Sequence, residues 1–169
     1  LIRAGGGDFV ELVARPFTTN VICDLVGVPE EDRQQVVRWV EDTVQYQAVR
    51  ADTSGMLRYA FRNTRAMFGL RGLVVRLARE RRKRPGDDVV SALANADVNG
   101  ERLTNRELGA FFLLLCVGGV DSPANALAHA VTLLSEHPGQ RELLLSDYDR
   151  YIGGAVEEIL RYSSPITQL

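Results

Sequence analysis

The sequence predicts a mainly α-helical protein, for three reasons. Apolar residues recur three and four positions apart along nearly the whole chain. Glycine and proline stand at the ends of those stretches, as helix stops and starts do. No segment alternates apolar and polar residues between turn signals as a strand would. With 169 residues, 46% hydrophobic and 25% charged, the chain has a globular composition. That excludes a disordered tail, a collagen-like repeat and a disulfide scaffold. A formal charge of −2 gives no bulk attraction to nucleic acid or to a membrane. Cys23 and Cys116 lie far apart in apolar surroundings, without metal-ligand or disulfide spacing, so a reduced, cytoplasmic compartment is expected. The chain opens on Leu1 and closes on Ser163-Ser164-Pro165-Ile166 and three further residues. Both ends read as cut, which makes 1–169 a single incomplete domain within a longer protein.

The first helix is expected over 8–26, with Phe9, Leu12, Val13, Val21, Ile22 and Leu25 on its apolar side. Pro16 should bend or split it, and Gly27-Val28-Pro29 stops it. Pro29 opens a second helix whose first turn carries Glu30, Glu31 and Asp32, where the helix dipole favours acids. Its apolar residues are Val36, Val37, Trp39 and Val40, and it ends before 51–55. A third helix runs over 56–82 to Pro85-Gly86. Its end carries Arg76, Arg79, Arg81, Arg82, Lys83 and Arg84, which complement the dipole as a solvated helix end or form a patch for an acidic partner. No aromatic interleaves them, which argues against single-stranded nucleic acid. A short helix follows over 89–94, then the turn Asn99-Gly100. Thr104-Asn105-Arg106-Glu107 reads as a capping box that launches the longest helix, to Glu136. Pro138 opens a short segment, and Asp147-Tyr148-Asp149 precedes a last helix through Arg161, stopped before Pro165.

The longest helix is the informative one. Residues 111–120 are apolar on all sides apart from the glycines, as in a core helix or a membrane span. A span needs about 20 consecutive apolar residues, and Asp121, Ser122, Pro123 and Asn125 interrupt this run, so a central helix of a soluble domain is expected. On a helical wheel, Gly118, Asp121, Ser122, Asn125 and His129 share one sector of about 100°. Leu114 joins them, Val117 lies at the edge, and Cys116 points the opposite way. Gly118-Gly119 weakens the helix by roughly 1 kcal/mol per glycine. Pro123 has no N–H for the carbonyl of Gly119, and Asp121 is a carboxylate expected at core depth, costly unless paired or hydrated. Such rule-breaking marks either a satisfied polar network with a packing kink or a functional site. In the second case the glycines remove a wall, the Ser122 hydroxyl offers hydrogen bonds, and Asp121 passes protons from solvent.

These residues bear a resemblance. Gly118-Gly119-Val120-Asp121-Ser122 resembles the oxygen-activation motif of the cytochrome P450 heme-thiolate monooxygenases: a small residue, glycine, any residue, an acid and threonine on a long central helix. Glu158-Ile159-Leu160-Arg161 resembles that family's Glu-x-x-Arg. Ala155 through Tyr162 followed by Ser164-Pro165, Asp24-Leu25-Val26-Gly27-Val28-Pro29 with Glu30-Glu31-Asp32-Arg33, and Glu136-His137-Pro138 are all similar to bacterial members. The order of these landmarks matches across the chain, which implies the middle of that fold, roughly helices E to K, with a long kinked central helix. The family's sheet parts and heme-ligand loop would lie outside. Neither cysteine fits the axial-ligand pattern: Cys116-Val117-Gly118 lacks the preceding glycine and sits within a helix. Both read as small buried hydrophobes, so this chain holds no metal ligand. Ser122 stands where the family usually has threonine, and Pro123 where a residue normally donates its N–H.

The resemblance implies heme b, electrons from NAD(P)H through a ferredoxin-type or flavodoxin-type partner, and oxidation of a small organic substrate by activated oxygen, with no nucleic-acid or membrane partner. It gives Asp121 and Ser122 the catalytic roles of proton supply and hydrogen bonding to oxygen. Gly118 and Gly119 form the oxygen groove over the heme face. Leu114, Val117 and Ile166 are candidate substrate walls. Glu158 and Arg161 form a buried structural pair that serves folding and heme retention. The alternative from another class is a heme-less relative acting as a helper subunit, for example beside a glycosyltransferase.

Overall fold

The structure is a computed structural model that describes residues 6–44, 53–98 and 100–164. They fall into two compact units, residues 19–44, 53–98 and 100–118 in one and residues 6–18 and 119–164 in the other. The class is mainly α as the sequence predicts, with one departure. Asp97–Val98 (β1) and Glu101–Arg102 (β2) pair antiparallel. The Asn99 of the expected turn lies outside the described residues.

In the 19–118 unit, the second half of α1 (Arg15–Val26) is followed by α2 (Glu30–Val44), α3 (Thr53–Lys83), α4 (Val89–Asn95), the small hairpin and α5 (Asn105–Gly118). Helix α3 is the hub, packing against α2, α4 and α5. Its buried residues Ala66, Leu70, Leu73, Val74 and Leu77 meet a core that includes Val36, Val40, Val90, Leu108, Phe112 and Cys116. Gly27 ends α1 with φ +86°, the left-handed stop that glycine adopts without penalty. The Val28 N–H donates back to the Cys23 carbonyl at 2.8 Å. The capping box at Thr104 forms as expected: Thr104 N–H donates to Glu107 Oε2 at 2.8 Å, and Glu107 N–H donates to Thr104 Oγ1 at 3.3 Å. The Thr104 bonds hold the Glu107 carboxyl below the usual carboxylate range.

The basic end of α3 is more than a solvated helix end. Arg76 pairs with Asp32, and Arg81 Nε donates to Asp88 Oδ2 at 2.6 Å. Arg82 Nε donates to the Ala94 carbonyl at 3.2 Å. These side chains staple α3 to the starts of α2 and α4 and to the end of α4. Asp88 also caps α4 by accepting from the Ser91 N–H at 2.7 Å.

Helices α2 and α3 approach closely because Gly69 lets the Trp39 ring lie where a Cβ would stand. Gly69→Ala is expected to destabilise the full-length protein by about 1–3 kcal/mol through overpacking, against a helix-propensity gain of roughly 1 kcal/mol. Chemical denaturation of the variant checks this.

In the other unit a π-helical segment, Val10–Ala14, precedes α1 and packs against α6 (Asp121–Glu136), which also contacts α7 (Pro138–Ser146) and α8 (Tyr148–Ser163). The π-helical widening is the answer to Pro16. That residue lacks an N–H and its ring crowds the carbonyl four residues back, so the turn loosens and the Arg15 N–H closes onto the Val10 carbonyl. It also shifts the helix register. The buried face runs through Ala14, Thr18, Ile22, Cys23 and Val26, while Leu12, Val13, Phe17, Val21 and Leu25 are exposed. Of the apolar side named from the sequence, only Ile22 is buried.

Candidate functional site

The long helix is interrupted at Gly119-Val120: α5 ends at Gly118 and α6 begins at Asp121. The interruption makes Pro123 harmless. Restarting at Asp121 places Pro123 in the first turn of α6, where its missing N–H is one of the donors a helix start leaves unused. Val120 is the N-cap, and the first bond of α6 runs from the Ala124 N–H to the Val120 carbonyl at 3.2 Å. Asp121 thereby becomes the first residue of a helix, where the dipole favours a negative charge. By length and hydropathy the whole stretch Asn105–Glu136 could cross a bilayer. The break and the packing of Leu108, Phe112 and Cys116 into a core give it another role.

Asp121 is not at core depth. Its side chain is 43% exposed, and its partner is Arg15, with Nη2 to Oδ1 at 3.6 Å. Arg15 also stands 3.8 Å from Glu11 Oε1. One turn further along α1, Thr18 is buried at 4% exposure. Its hydroxyl lies 3.1 Å from the Val120 carbonyl and 3.2 Å from that of Arg15. Sequence reasoning missed both residues. A signal for Thr18 existed: it is a polar residue between Ala14 and Ile22, at four-residue spacing. Ser122 is half-buried beside Asp121, and Asn125 and His129 on the same sector are exposed.

On α5, Phe111, Leu114 and Gly118 share one face by spacing. Phe111 and Leu114 are 44% and 66% exposed, and a Cβ on Gly118 would meet nothing within 4 Å. A bare, partly aromatic strip ending in a glycine suits a flat apolar group laid against the helix, so it fits the distal side of a heme. Val117 is half-buried next to it. Ile166 lies outside the described residues. Cys116 is buried, and that burial pushes its thiol up to about 12, with a further contribution from Cys23. Burial also raises the Cys23 thiol. Both are free cysteines and behave as the small hydrophobes expected. Neither is expected to react with a thiol reagent at pH 8 in the native protein, and both should react on denaturation. Mass spectrometry after brief alkylation checks this.

Glu158 and Arg161 meet in a two-bond fork, Arg161 Nε to Oε2 at 2.7 Å and Nη2 to Oε1 at 2.6 Å. The Arg161 hydrogen bonds hold the Glu158 carboxyl below its usual range. The pair forms as expected but stands exposed among the described residues, at 61% and 68%, where burial was expected. Glu158 borders an apolar groove of about 450 Å³ between α6, α7 and α8, lined by Leu133, Leu144, Tyr151 and Ile159. Neither Asp121 nor Ser122 lines it.

The backbone fold matches a solved structure. A cytochrome P450 of Mycobacterium marinum, in complex with pseudoionone, superposes with a TM-score of 0.76 at 36% identity, over 95% of this chain and 39% of that one. The chain is a segment of the cytochrome P450 fold. The same reading comes from sequence. The methyl-branched lipid omega-hydroxylase of Mycobacterium bovis is 36% identical over 96% of this chain. The steroid C26-monooxygenase of Rhodococcus jostii is 32% identical over 97% of it. The chain spans 37% and 32% of the length of these two relatives. No protein-family model matches the chain. The helper-subunit alternative finds no support among these P450 relatives.

Proposed function

We propose that the full-length protein is a heme-thiolate monooxygenase that oxidises a small, apolar organic molecule. The observation that carries this reading is the interruption at Gly119-Val120. It places a carboxylate and a hydroxyl, Asp121 and Ser122, in the first turn of α6. The names of the relatives point to a lipid or steroid substrate, and the exposed Leu114 and the neighbouring Val117 supply apolar wall for one, with Ile166 as a further candidate. When bound, the heme would supply oxygen activation, its thiolate ligand lying outside this chain.

The chain's own residues do the rest. Asp121, half-exposed, exchanges a proton with solvent at its carboxylate oxygens. It hands that proton to Ser122, whose Oγ would pass it on. Gly118 leaves the end of α5 without a side chain, and a Cβ there would meet nothing within 4 Å. Serine keeps the hydroxyl of the family's threonine but not the methyl that restricts χ1. Glu158 and Arg161 act at a distance from this chemistry. In the whole protein they lock against the segment that precedes the axial loop, and the pair becomes buried. Electrons come from NAD(P)H through a ferredoxin-type or flavodoxin-type partner, and the enzyme works in the cytoplasm. Product formed per NAD(P)H oxidised, measured on the full-length protein with a panel of fatty-acid and steroid substrates, tests the reading. Oxygenated product from at least one class is expected. NAD(P)H oxidation without any product, together with absent heme, would contradict it.

A further inference from the structure

We infer that the outer face of α3 is a docking surface for an anionic lipid bilayer. The formal charge of −2 conceals a segregation of charge along the chain. Helix α3 carries nine arginine and lysine side chains, and Glu80 is its only acid. Arg62, Arg76 and Arg81 pair with Asp42, Asp32 and Asp88. Arg58, Arg65, Arg71 and Arg79 have no ion-pair partner among the described residues. Between these cations runs an apolar stripe. Leu57, Phe61, Phe68 and Val75 fall within a sector of about 40° on the α3 wheel. Leu57, Phe61 and Phe68 are 68%, 71% and 67% exposed. The buried residues Ala66, Leu70, Leu73 and Leu77 lie on the opposite side of the helix, which packs against α2, α4 and α5.

The stripe runs for about 27 Å along one helix, with Arg58 and Arg65 on one flank and Arg71 on the other. A helix lying in a bilayer interface has this arrangement. Its leucine and phenylalanine side chains enter the acyl boundary, and its arginine stems extend to the lipid phosphates. An acidic protein is a poorer match. A helix held in a protein groove presents apolar anchors three, four and seven residues apart. Here Thr64 stands seven residues after Leu57, and Arg71 and Gly72 stand where anchors after Phe68 would fall. A second copy docking through the same face would set arginine against arginine, which is repulsive. Covering the face with protein would bury guanidinium groups that have no acid beside them, at a high cost. A phosphate-bearing surface meets both the charge and the apolar stripe. The lipid or steroid substrate proposed above collects in bilayers, so docking there brings the enzyme to it. That consequence alone rests on the proposed substrate class.

The experiment sediments the full-length heme protein with vesicles of phosphatidylcholine alone, or of phosphatidylcholine and phosphatidylglycerol in equal parts. The variants are Arg65→Gln/Arg71→Gln/Arg79→Gln and Phe61→Gln/Phe68→Gln. Heme content, thermal unfolding and turnover without vesicles are measured on each. The wild type is expected to prefer the phosphatidylglycerol vesicles at least tenfold and to be released by high salt. The arginine variant should bind them about a hundredfold more weakly, and the phenylalanine variant roughly tenfold more weakly. Heme content, unfolding temperature and vesicle-free turnover should not change. No preference for phosphatidylglycerol, or unaltered binding in either variant, overturns the inference. Loss of heme or a lowered unfolding temperature in either variant also overturns it, because the rest of the protein would then cover this face. Release from the vesicles by soluble polyglutamate at equal charge would point to an acidic protein instead, and overturns it as well. Absence of heme or of product in the wild type defeats the monooxygenase reading, whereas the vesicle result alone decides this one.

Discussion

Removing the Ser122 hydroxyl in the full-length enzyme is expected to leave folding and heme content nearly intact while product falls and NAD(P)H oxidation continues. Ser122 is half-buried, and Ser122→Ala only removes an uncharged oxygen, so it creates no clash and exposes no buried charge. What it removes is the group proposed to direct the proton, and electrons are then expected to be lost to peroxide. Ser122→Thr should restore or tighten coupling if the added methyl is accommodated, because it restricts χ1. Asp121→Asn acts one step earlier. It keeps the shape and loses the proton-exchanging carboxylate, so turnover itself should fall, by roughly a hundredfold for a lost general acid–base group. Product per NAD(P)H, with peroxide measured alongside, separates the two. Unchanged rate and coupling in both variants would remove these residues from the mechanism.

The second large effect concerns the Glu158–Arg161 fork. In the full-length protein Glu158→Ala or Arg161→Ala is expected to abolish heme incorporation rather than slow turnover. The pair stands at the edge of the α6–α8 groove and is exposed here. An exposed i,i+3 pair alone contributes little, so such a loss requires that the rest of the protein close over it. Truncating one partner then leaves the other charge buried and uncompensated. Pairing lowers the Glu158 carboxyl pKa and raises that of Arg161. The contribution is therefore fully present above the ordinary glutamate pKa and is lost as pH falls through the depressed value, leaving the fork intact at neutral pH. Heme content by absorbance after purification checks the prediction. Normal heme with reduced turnover in both variants would show that the pair is only a surface contact.

Much of this was legible in the sequence because it depends on local rules. The capping box at Thr104, the glycine stop at Gly27 and the disruption near Pro123 follow from backbone chemistry that each residue carries with it. The break itself could be placed only within 118–123 from sequence. Its location at Gly119-Val120 depends on where α6 can restart with Pro123 in its first turn. The setting of Asp121 was not legible. Wheel geometry put it at core depth, whereas its partner Arg15 is more than a hundred positions away in the chain, beyond any periodicity argument. The face of α1 was misread for a related reason. Residues 9–26 are apolar on more than one side, and the π-helical turn before Pro16 rotates the register that a regular wheel assumes. The paired residues Asp97–Val98 and Glu101–Arg102 are too short to leave a strand pattern. The staples made by Arg76, Arg81 and Arg82 reach acids and carbonyls in other elements that composition cannot pair with them.

The central proposal is that the full-length protein holds a thiolate-ligated heme. The most direct measurement is the difference spectrum of the reduced, carbon-monoxide-treated full-length protein. The account predicts the long-wavelength Soret band of a thiolate-ligated heme, retained in Ser122→Ala and Asp121→Asn. A full-length protein that gives no such band would contradict it.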